Sequence, residues 1–232
     1  MRARRFDERD EGPHPDVPTE EWIFASWLAD GSVGVVSGYR IHRAPSRGGW
    51  YWAALARRSE PLLHVTEWEV PARSDPLLVK AHGLWAEHTV DAPMEQWTVT
   101  NETYATALDD PADALGRAYG VPSAVAFDLE WYATAPPVAV VTGDGYQQDG
   151  VVHGIVELSG GPLVLTEAPA RRWHRWAPVL GVLVLPEAFA HASVRAPFAF
   201  PDGTVADWVV TPDGWRSRRP ASGPVPAPAP AR

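Results

Sequence analysis

The chain has 232 residues, of which 45% are hydrophobic, and a formal net charge of −9. This length fits one large β domain or two small ones, and the acidic balance argues against a nucleic-acid partner, because neutralising phosphates needs a basic surface. The absence of cysteine excludes disulfides, zinc ribbons and thiolate nucleophiles.

The two ends of the chain differ in composition from the middle. Residues 1–18 are charged and contain prolines, which predicts a disordered arm. Residues 216–232 are rich in Pro and Ala, which predicts a disordered tail. The start, MRARRFDERDEG, lacks the apolar run of a secretory signal, and no stretch reaches the roughly 20 apolar residues of a membrane span. We therefore expect a soluble, cytoplasmic protein without membrane insertion.

Between the ends, apolar and polar residues alternate and turn signals recur, which is the pattern of β-strands. Trp22 to Trp27 leads into an Asp30-Gly31 turn, and Asp149-Gly150 is a second predicted hairpin turn. The other predicted strands span 33–42, 50–56, 62–70, 77–90, 97–104, 126–132, 138–141, 151–158, 163–166, 172–176, 179–185, 189–200 and 205–210. Only LDDPADALGRAYG, residues 108–120, has the Asp cap, early proline and final glycine of a helix.

Short strands at this regular spacing favour an antiparallel sandwich or barrel. Twelve tryptophans are several times the usual share, and each adds a large apolar area with one N–H that needs a partner. The composition therefore predicts wide packed sheets or an apolar cavity with indole walls. The APP sequence at 135–137 is the best candidate boundary between two halves.

Three segments carry a family resemblance: GYQQDGVVHGIVELSGGPLVLTEAPARRWHRWAP, GLWAEHTVDAPMEQW and FDLEW. Over roughly residues 20–180 the chain resembles the carotenoid 1,2-hydratase (hydroxyneurosporene synthase) superfamily. The resemblance implies an all-β, antiparallel fold of two lipocalin-like (calycin-like) units, residues 19–135 and 136–215, at least one of them reduced or open. It also implies a hydrophobic ligand between or inside these units. Where that superfamily usually reads Asp-His-x-Trp-Gly, this chain matches at His174 and Trp176 but has Trp173 and Ala177.

The stretch RRWHRW, residues 171–176, has a distinct chemistry on each side of a strand. His174 and Trp176 share one face, and Trp173 and Arg175 share the other. The first face would present a histidine and an indole to the interior, while the second would rest its arginine on an aromatic edge in water. The alternative is a structural strand whose histidine is hydrogen-bonded in the core.

Two other stretches have the residue types of a general acid. Adding water to an isolated alkene begins with its protonation, which needs a carboxylic acid kept neutral by burial and aromatic faces that stabilise the cation. Glu87 beside Trp85, and Asp128 with Glu130 in FDLEW, fit those types. The alternative for the last two is a solvated sheet face opposite an apolar one.

A metal site is not expected. His82 and His88 would lie about 20 Å apart on an unbroken strand that rises roughly 3.3 Å per residue, whereas metal ligands must converge on one point. The sequence also implies no cofactor.

The leading hypothesis is a cofactor-independent acid–base enzyme of the hydratase, isomerase or cyclase kind, acting on an apolar isoprenoid, steroid or polyketide-like molecule. The predicted catalytic residues are Glu87, His88, Glu130 and His174. The predicted ligand-binding residues are Trp85, Trp97, Asp128, Trp131, Tyr146 and Trp176. The alternatives are a non-catalytic lipocalin-type carrier of a hydrophobic small molecule and a protein whose tryptophans are simply core. A cavity smaller than roughly 300 Å³ would favour the last.

Overall fold

The computed structural model describes residues 4–30, 32–43, 48–57, 60–109, 120–140, 144–178, 180, 195–199, 205–211 and 214–217. A short 3-10 helix, Glu8–Asp10, precedes the strands. In chain order these are β1 Thr19–Trp27, β2 Val33–His42, β3 Gly48–Arg57, β4 Leu62–Val70, β5 Leu78–Ala81, β6 Leu84–Ala92, β7 Gln96–Leu108, β8 Val121–Ala133, β9 Val138–Ala139, β10 Asp144–Leu158, β11 Leu163–Ala177, β12 Arg195–Ala199, β13 Val205–Thr211 and β14 Gly214–Ser217. Within these ranges no helix is long and apolar enough to cross a membrane.

Strands β1 to β11 form one antiparallel sheet that closes on itself. Eight of them follow one another around the ring in the order β4-β3-β2-β1-β11-β10-β8-β7. The ring closes where β7 pairs with β4, with Leu108 opposite Leu62. The β5–β6 hairpin continues the sheet beyond β7, and β9 pairs with β10. This arrangement confirms the predicted all-β, antiparallel, lipocalin-like fold.

Strands β12, β13 and β14 form a second, three-stranded antiparallel sheet. The boundary predicted at residues 135 and 136 falls between β8 and β9, and strands from both sides of it pair within the ring. The division of the chain into two lipocalin-like units stays a prediction.

Several predicted turns and breaks lie elsewhere in the structure. The predicted strand 77–90 divides at Gly83, whose φ of 69° is a left-handed conformation that glycine adopts without strain. The turn predicted at Asp149-Gly150 is wrong, because β10 runs through both residues. Gly150 instead leaves room for the Trp131 ring, which would lie 2.5 Å from an added Cβ. The strands predicted at 163–166 and 172–176 are parts of one strand, β11.

Some predictions fall outside the described residues. The predicted helix begins at Leu108, which ends β7, and continues through residues 110–119, which are not described. The predicted strands at 179–185 and 189–200 are described only at residues 180 and 195–199. Of the predicted tail, residues 216 and 217 belong to β14 and residues 218–232 are not described.

Alternation along β8 explains why one side of the sheet lies in the core. The inward side chains of Phe127, Leu129 and Trp131 are buried, whereas Asp128 and Glu130 between them are exposed. Burying the apolar set while solvating the carboxylates is the favourable register for such a sequence. Asp128 and Glu130 therefore lie on a solvated face of the sheet, as the alternative interpretation of these two residues predicted.

The outer side of β1, β2 and β11 is also buried, which the sequence did not predict. Glu21 on β1 lies opposite Arg175 on β11 and Arg40 on β2. Its Oε2 accepts hydrogen bonds from Arg40 at 2.9 and 2.8 Å, and its Oε1 accepts them from Arg175. Arg175 is only 3% exposed. The prediction that this face lies in water is wrong, because a buried carboxylate pairs both guanidinium groups.

Candidate active site

The barrel interior is almost filled by side chains. Two voids lined by described residues each have a volume of about 10 Å³. One lies beside Ser37 and Trp131, and the other lies beside Asn101 and Phe127. This volume is about that of one water molecule and far below the roughly 300 Å³ at the lower end of ligand pockets. Among the described residues, the Trp-lined hollow expected in the barrel interior is filled by packed side chains. For the interior, this outcome favours the alternative in which the tryptophans are core, so any ligand site must lie at an end of the barrel.

His88, a predicted catalytic residue, belongs to a buried polar network near the middle of the barrel. Its Nε2 lies 3.0 Å from Ser37 Oγ, which lies 3.1 Å from Tyr51 Oη. The amide of Asn101 donates to Tyr51 Oη at 2.8 Å. Burial lowers the pKa of His88 to about 3 and raises the pKa of Tyr51 to about 12. Both groups are therefore neutral at physiological pH, and neither contacts a carboxylate in the described hydrogen bonds.

The N-terminal arm closes one end of the barrel, which corrects the prediction of a disordered arm. Glu11 is 3% exposed, and its Oε1 accepts hydrogen bonds at 2.5 Å from both Arg172 and Trp97. Arg172 also donates to Gln148 Oε1 at 2.7 Å and stacks over the Trp131 ring at 5.0 Å. A buried ion pair with these additional hydrogen bonds holds the arm against β11 because breaking it would strand a charge.

Glu20, His174 and His14 meet at the same closed end. Glu20 lies on β1, His174 lies on β11, and His14 comes from the arm. Glu20 Oε1 lies 2.8 Å from His174 Nε2 and 2.7 Å from His14 Nδ1. Glu20 Oε2 accepts a hydrogen bond from Arg43 at 2.6 Å and another from the His14 backbone N–H at 2.9 Å. His174 thus has an acidic partner, which β1 supplies across the sheet rather than position 173 on its own strand.

The electrostatics of this cluster hold the carboxylate in its charged form. Burial acts to raise the pKa of Glu20, but hydrogen bonds and charge interactions with His174 and His14 outweigh it and lower that pKa to about 2. Burial lowers the pKa of His174 more than Glu20 raises it. An anionic Glu20 and a neutral His174 are therefore the resting states at pH 7, with the His174 Nε2–H donating to the carboxylate.

This pairing leaves the second ring nitrogen of His174 with a lone pair. Among the described residues, His174 Nδ1 has no hydrogen-bond partner. The imidazole stacks on Trp22, with ring centroids 4.6 Å apart, and meets Trp176 edge-on at 4.8 Å. A histidine held by a carboxylate on one nitrogen and bare on the other has the arrangement of a general base.

Tyr146 adds a hydroxyl to the same aromatic cluster. Its ring lies 5.6 Å from His174 and 5.1 Å from Phe6 of the arm. The Tyr146 hydroxyl is near Arg172 and Glu11, but it makes no hydrogen bond of good geometry to the described part of the chain. Burial raises the pKa of Tyr146. The hydroxyl is therefore a neutral donor.

The other predicted site residues are dispersed. Trp97, Trp131 and Trp176 are buried at the closed end with Tyr146 and His174. Glu87 is half-buried on the outer side of β6, and Glu130 is exposed and accepts a hydrogen bond from Tyr132 at 2.8 Å. The structure thus brings together four of the five predicted aromatic residues and His174, but not Trp85 or the predicted carboxylates.

We call the opposite end of the barrel the open end, because in the described part of the chain no arm covers it and two grooves border it. A groove of about 650 Å³ there is lined by residues that include Trp85, Tyr104 and Leu158. A neighbouring groove of about 490 Å³ shares Tyr104 with it and extends to His82 and Thr106. Trp85, a predicted ligand-binding residue, therefore lies far along the sheet from the predicted partners Trp97 and Trp131.

Sequence reasoning missed the two acidic residues that organise the closed end. Glu20 lies two residues before Trp22 in TEEW, so a strand beginning at residue 19 places the side chains of Glu20 and Trp22 on the same face as Phe24. The inward position of Glu20 was therefore predictable from the sequence. Glu11 lies in a charged arm with no periodicity, and nothing local to it indicates burial.

The fold and this cluster define a class: a small lipocalin-like β-barrel protein with a buried Glu–His pair at its closed end. The chain belongs to the family described as "Domain of unknown function (DUF7064)", which matches residues 7–178. That match covers the arm from residue 7 onwards and the whole ring, and β12 to β14 lie beyond it.

Among solved structures, the chain is similar to one described as "Crystal structure of CghA with Sch210972". The two are 14% identical with a TM-score of 0.39, and the match covers 84% of this chain and 53% of that one. The chain thus spans about half the length of that protein. Comparison with curated protein sequences gives no match.

Proposed function

We propose that this protein is an acid–base enzyme of the isomerase or cyclase kind that acts on an apolar ketone-bearing small molecule. The observation that carries the proposal is the buried Glu20–His174 pair, which leaves His174 Nδ1 without a partner among aromatic rings. Glu20 fixes the tautomer of His174, and Nδ1 removes a proton from the carbon beside the substrate carbonyl.

Tyr146 completes the chemistry proposed for this site. Removing that proton moves its electron pair into the carbonyl and creates an enolate oxygen, which a neutral hydroxyl stabilises by donating a hydrogen bond. The pKa of Tyr146 is raised by burial, so it keeps its proton at neutral pH. In a β,γ-unsaturated ketone the enolate extends to the γ-carbon, and the protonated His174 returns the proton there. The β,γ double bond is thereby replaced by an α,β double bond, and the carbonyl is restored.

The charge state of Glu20 favours this reaction over alkene hydration. Protonating an isolated alkene needs a neutral carboxylic acid, whereas the pKa of Glu20 is about 2. The finer resemblance to carotenoid 1,2-hydratases therefore supports a related apolar substrate, of the isoprenoid, steroid or polyketide-like type, better than it supports the hydratase reaction.

Access to His174 depends on the arm. Phe6 packs against Tyr146 and Trp176, with ring centroids 5.1 and 6.5 Å apart, and His14 stacks on Trp176 at 4.0 Å. An apolar substrate would displace the Phe6 ring and occupy the same indole and phenol faces. The arm in this proposal is a lid that closes over the base and excludes water.

Isomerisation of a β,γ-unsaturated steroid ketone to its conjugated isomer tests the proposal, because conjugation raises the ultraviolet absorbance. We expect the wild-type chain to accelerate the reaction and His174→Gln to lower kcat by about 10²–10⁴-fold, the usual contribution of a general base. Glutamine can still donate to Glu20, so the fold should survive, which circular dichroism checks.

The matched control is His153→Gln, on β10 and outside the cluster, which should keep wild-type kcat. Equal turnover by the wild type and His174→Gln would contradict the proposal, as would a wild-type rate equal to that without protein.

A second candidate function is a non-catalytic carrier of a hydrophobic molecule at the open end. The groove of about 650 Å³ beside Trp85 supports it, because that volume fits a drug-sized ligand. This candidate needs neither Glu20 nor His174.

A further inference from the structure

Three ligand atoms of the types that bind transition metals converge at the closed end. They belong to His14, Glu20 and His174, and all lie within 4.8 Å of one another. We propose that these three residues bind a first-row divalent cation of the Zn²⁺ type, which fastens the arm to the barrel. Two imidazoles and one carboxylate leave a fourth position for water or another ligand.

The two oxygens of Glu20 differ in their side-chain partners. Oε1 lies 2.7 and 2.8 Å from the two imidazole nitrogens and accepts a further hydrogen bond from the His14 backbone N–H at 3.0 Å. Oε2 is held by Arg43 at 2.6 Å and by the His14 backbone N–H. A cation bound to Oε1 would replace two N–H···O hydrogen bonds and leave the contacts of Oε2 in place. Arg43 then orients the ligating carboxylate from behind, as outer-sphere partners of metal ligands do.

The distances require only a small movement. In a tetrahedral site, Zn–N and Zn–O bonds of about 2.0–2.2 Å hold neighbouring ligand atoms about 3.3–3.6 Å apart. The three ligand atoms lie within 4.8 Å of one another, so reaching that separation needs a movement of at most about 1.5 Å. His14 can supply this movement because it lies on the arm, with 23% of its side chain exposed. The same exposure gives the cation a path into the cluster.

Coordination changes the tautomers of both rings. A metal binds an imidazole nitrogen that carries no proton. The proton on His174 Nε2 moves to Nδ1, and the proton on His14 Nδ1 moves to Nε2. No electron is transferred on binding.

Binding would have a consequence at the proposed active site. With the cation on Nε2, the neutral His174 ring carries its proton on Nδ1 and cannot act as a base. The arm, bound through His14, would also stay closed. The cation is thus an inhibitor of the proposed reaction, and only this consequence rests on the proposed function.

Isothermal titration of the metal-free full chain with Zn²⁺ at pH 7 tests the site without any substrate. We expect one bound ion per chain and an affinity at least tenfold weaker in His14→Ala, which removes a ligand from the arm and no side chain from the barrel. The matched control is His82→Ala, an exposed histidine at the β5–β6 turn, whose affinity should equal that of the wild type.

Co²⁺ gives a second measurement, which nonspecific binding of the ion to the protein surface does not affect. Four-coordinate Co²⁺ absorbs visible light far more strongly than the hydrated ion, so the wild type should develop this absorption and His14→Ala should not. Equal Zn²⁺ affinity in the wild type and His14→Ala, or no binding by the wild type, would overturn the proposal. Because neither measurement uses substrate, its failure leaves the proton-transfer proposal standing, and a failed isomerase assay leaves this one standing.

Discussion

The two ends of the barrel differ although the same strands reach both. On strand β7, Trp97 at the first end points inward and is fully buried, whereas Tyr104 towards the second end points outward and is 71% exposed, beside the inward, buried Ala105. At the first end Trp97 donates to Glu11 of the arm, while at the second end Tyr104 borders a groove. Strand patterning alone therefore does not decide which end of the barrel is closed. The contacts of a short, charged arm decide it.

Buried charges hold the closed end, whereas the ion pair described at the open end, between Arg57 and Glu60, is partly exposed. Glu11 and Glu20 are buried and accept hydrogen bonds from Arg172, Arg43 and two histidines. Burying such groups costs desolvation energy that the pairing offsets only when every partner is present. The closed end should therefore be sensitive to loss of a single partner.

The largest expected effect comes from breaking the buried ion pair. Arg172→Met should lower the free energy of unfolding by about 3–5 kcal/mol, because it leaves the Glu11 carboxylate buried without its cation. Unfolding in urea, followed by circular dichroism, measures the change.

The preceding residue on the same strand is the matched control. Arg171 pairs with Asp149 at 2.5 Å, but the two side chains are 23% and 51% exposed. Arg171→Met should cost less than about 1 kcal/mol, as surface ion pairs do. A similar loss in both variants would mean that burial of the arm does not set the difference between the two ends.

The sequence predicted the strands but not this closure, and the reason is physical. Alternation is local, so Phe127, Leu129 and Trp131 identify the core side of β8 without knowledge of the rest of the chain. His174, which pairs with Glu20, and Arg172, which pairs with Glu11, lie 154 and 161 residues away from them. From the local sequence a carboxylate is expected to lie in solvent, and only the fold shows which distant residue pairs with it.

At Gly150 a strong local signal led to a wrong prediction. Asp-Gly is a strong hairpin signal, yet here the glycine is mid-strand because the Trp131 ring fills the space of a side chain. One residue type serves two purposes, turning and close packing, and local sequence does not distinguish them. The inward position of His174 was predicted from the alternation of residues along its strand. Glu87 and Glu130 were predicted from residue type alone, and both lie on outer faces of the sheet.

Acid should act on the buried histidines, His88 in the middle of the barrel and His174 at the closed end, before it acts on the buried carboxylate of Glu20. Burial lowers the pKa of His88 to about 3, below the value near 6.5 in the unfolded chain. The unfolded state then binds a proton that the folded state does not, so stability is full above pH 6.5 and falls as pH decreases towards 3. The contribution of Glu20, whose pKa is lowered to about 2, is lost only below about 4.5.

Between pH 7 and pH 5 the wild type should lose about 2 kcal/mol through His88 alone. Urea unfolding of His88→Gln at both pH values should show a loss smaller by about that amount, and His82→Gln at an exposed position should keep the wild-type loss. If His88→Gln kept the full pH dependence, the acid sensitivity would have to lie elsewhere, and the closed end would be the first region to examine.

The smallest stability effect belongs to the open end. Tyr104→Ser removes an exposed ring and no packed core, so the free energy of unfolding should change by at most about 0.5 kcal/mol.

The same substitution removes part of the groove wall, and binding of a hydrophobic fluorescent dye should weaken if the groove takes apolar ligands. Val138→Ser, which alters another exposed apolar residue outside the groove, should leave both quantities unchanged. A large loss of stability in Tyr104→Ser would show that the open end is also held by packing, and dye binding unaffected by it would remove the support for a carrier function there.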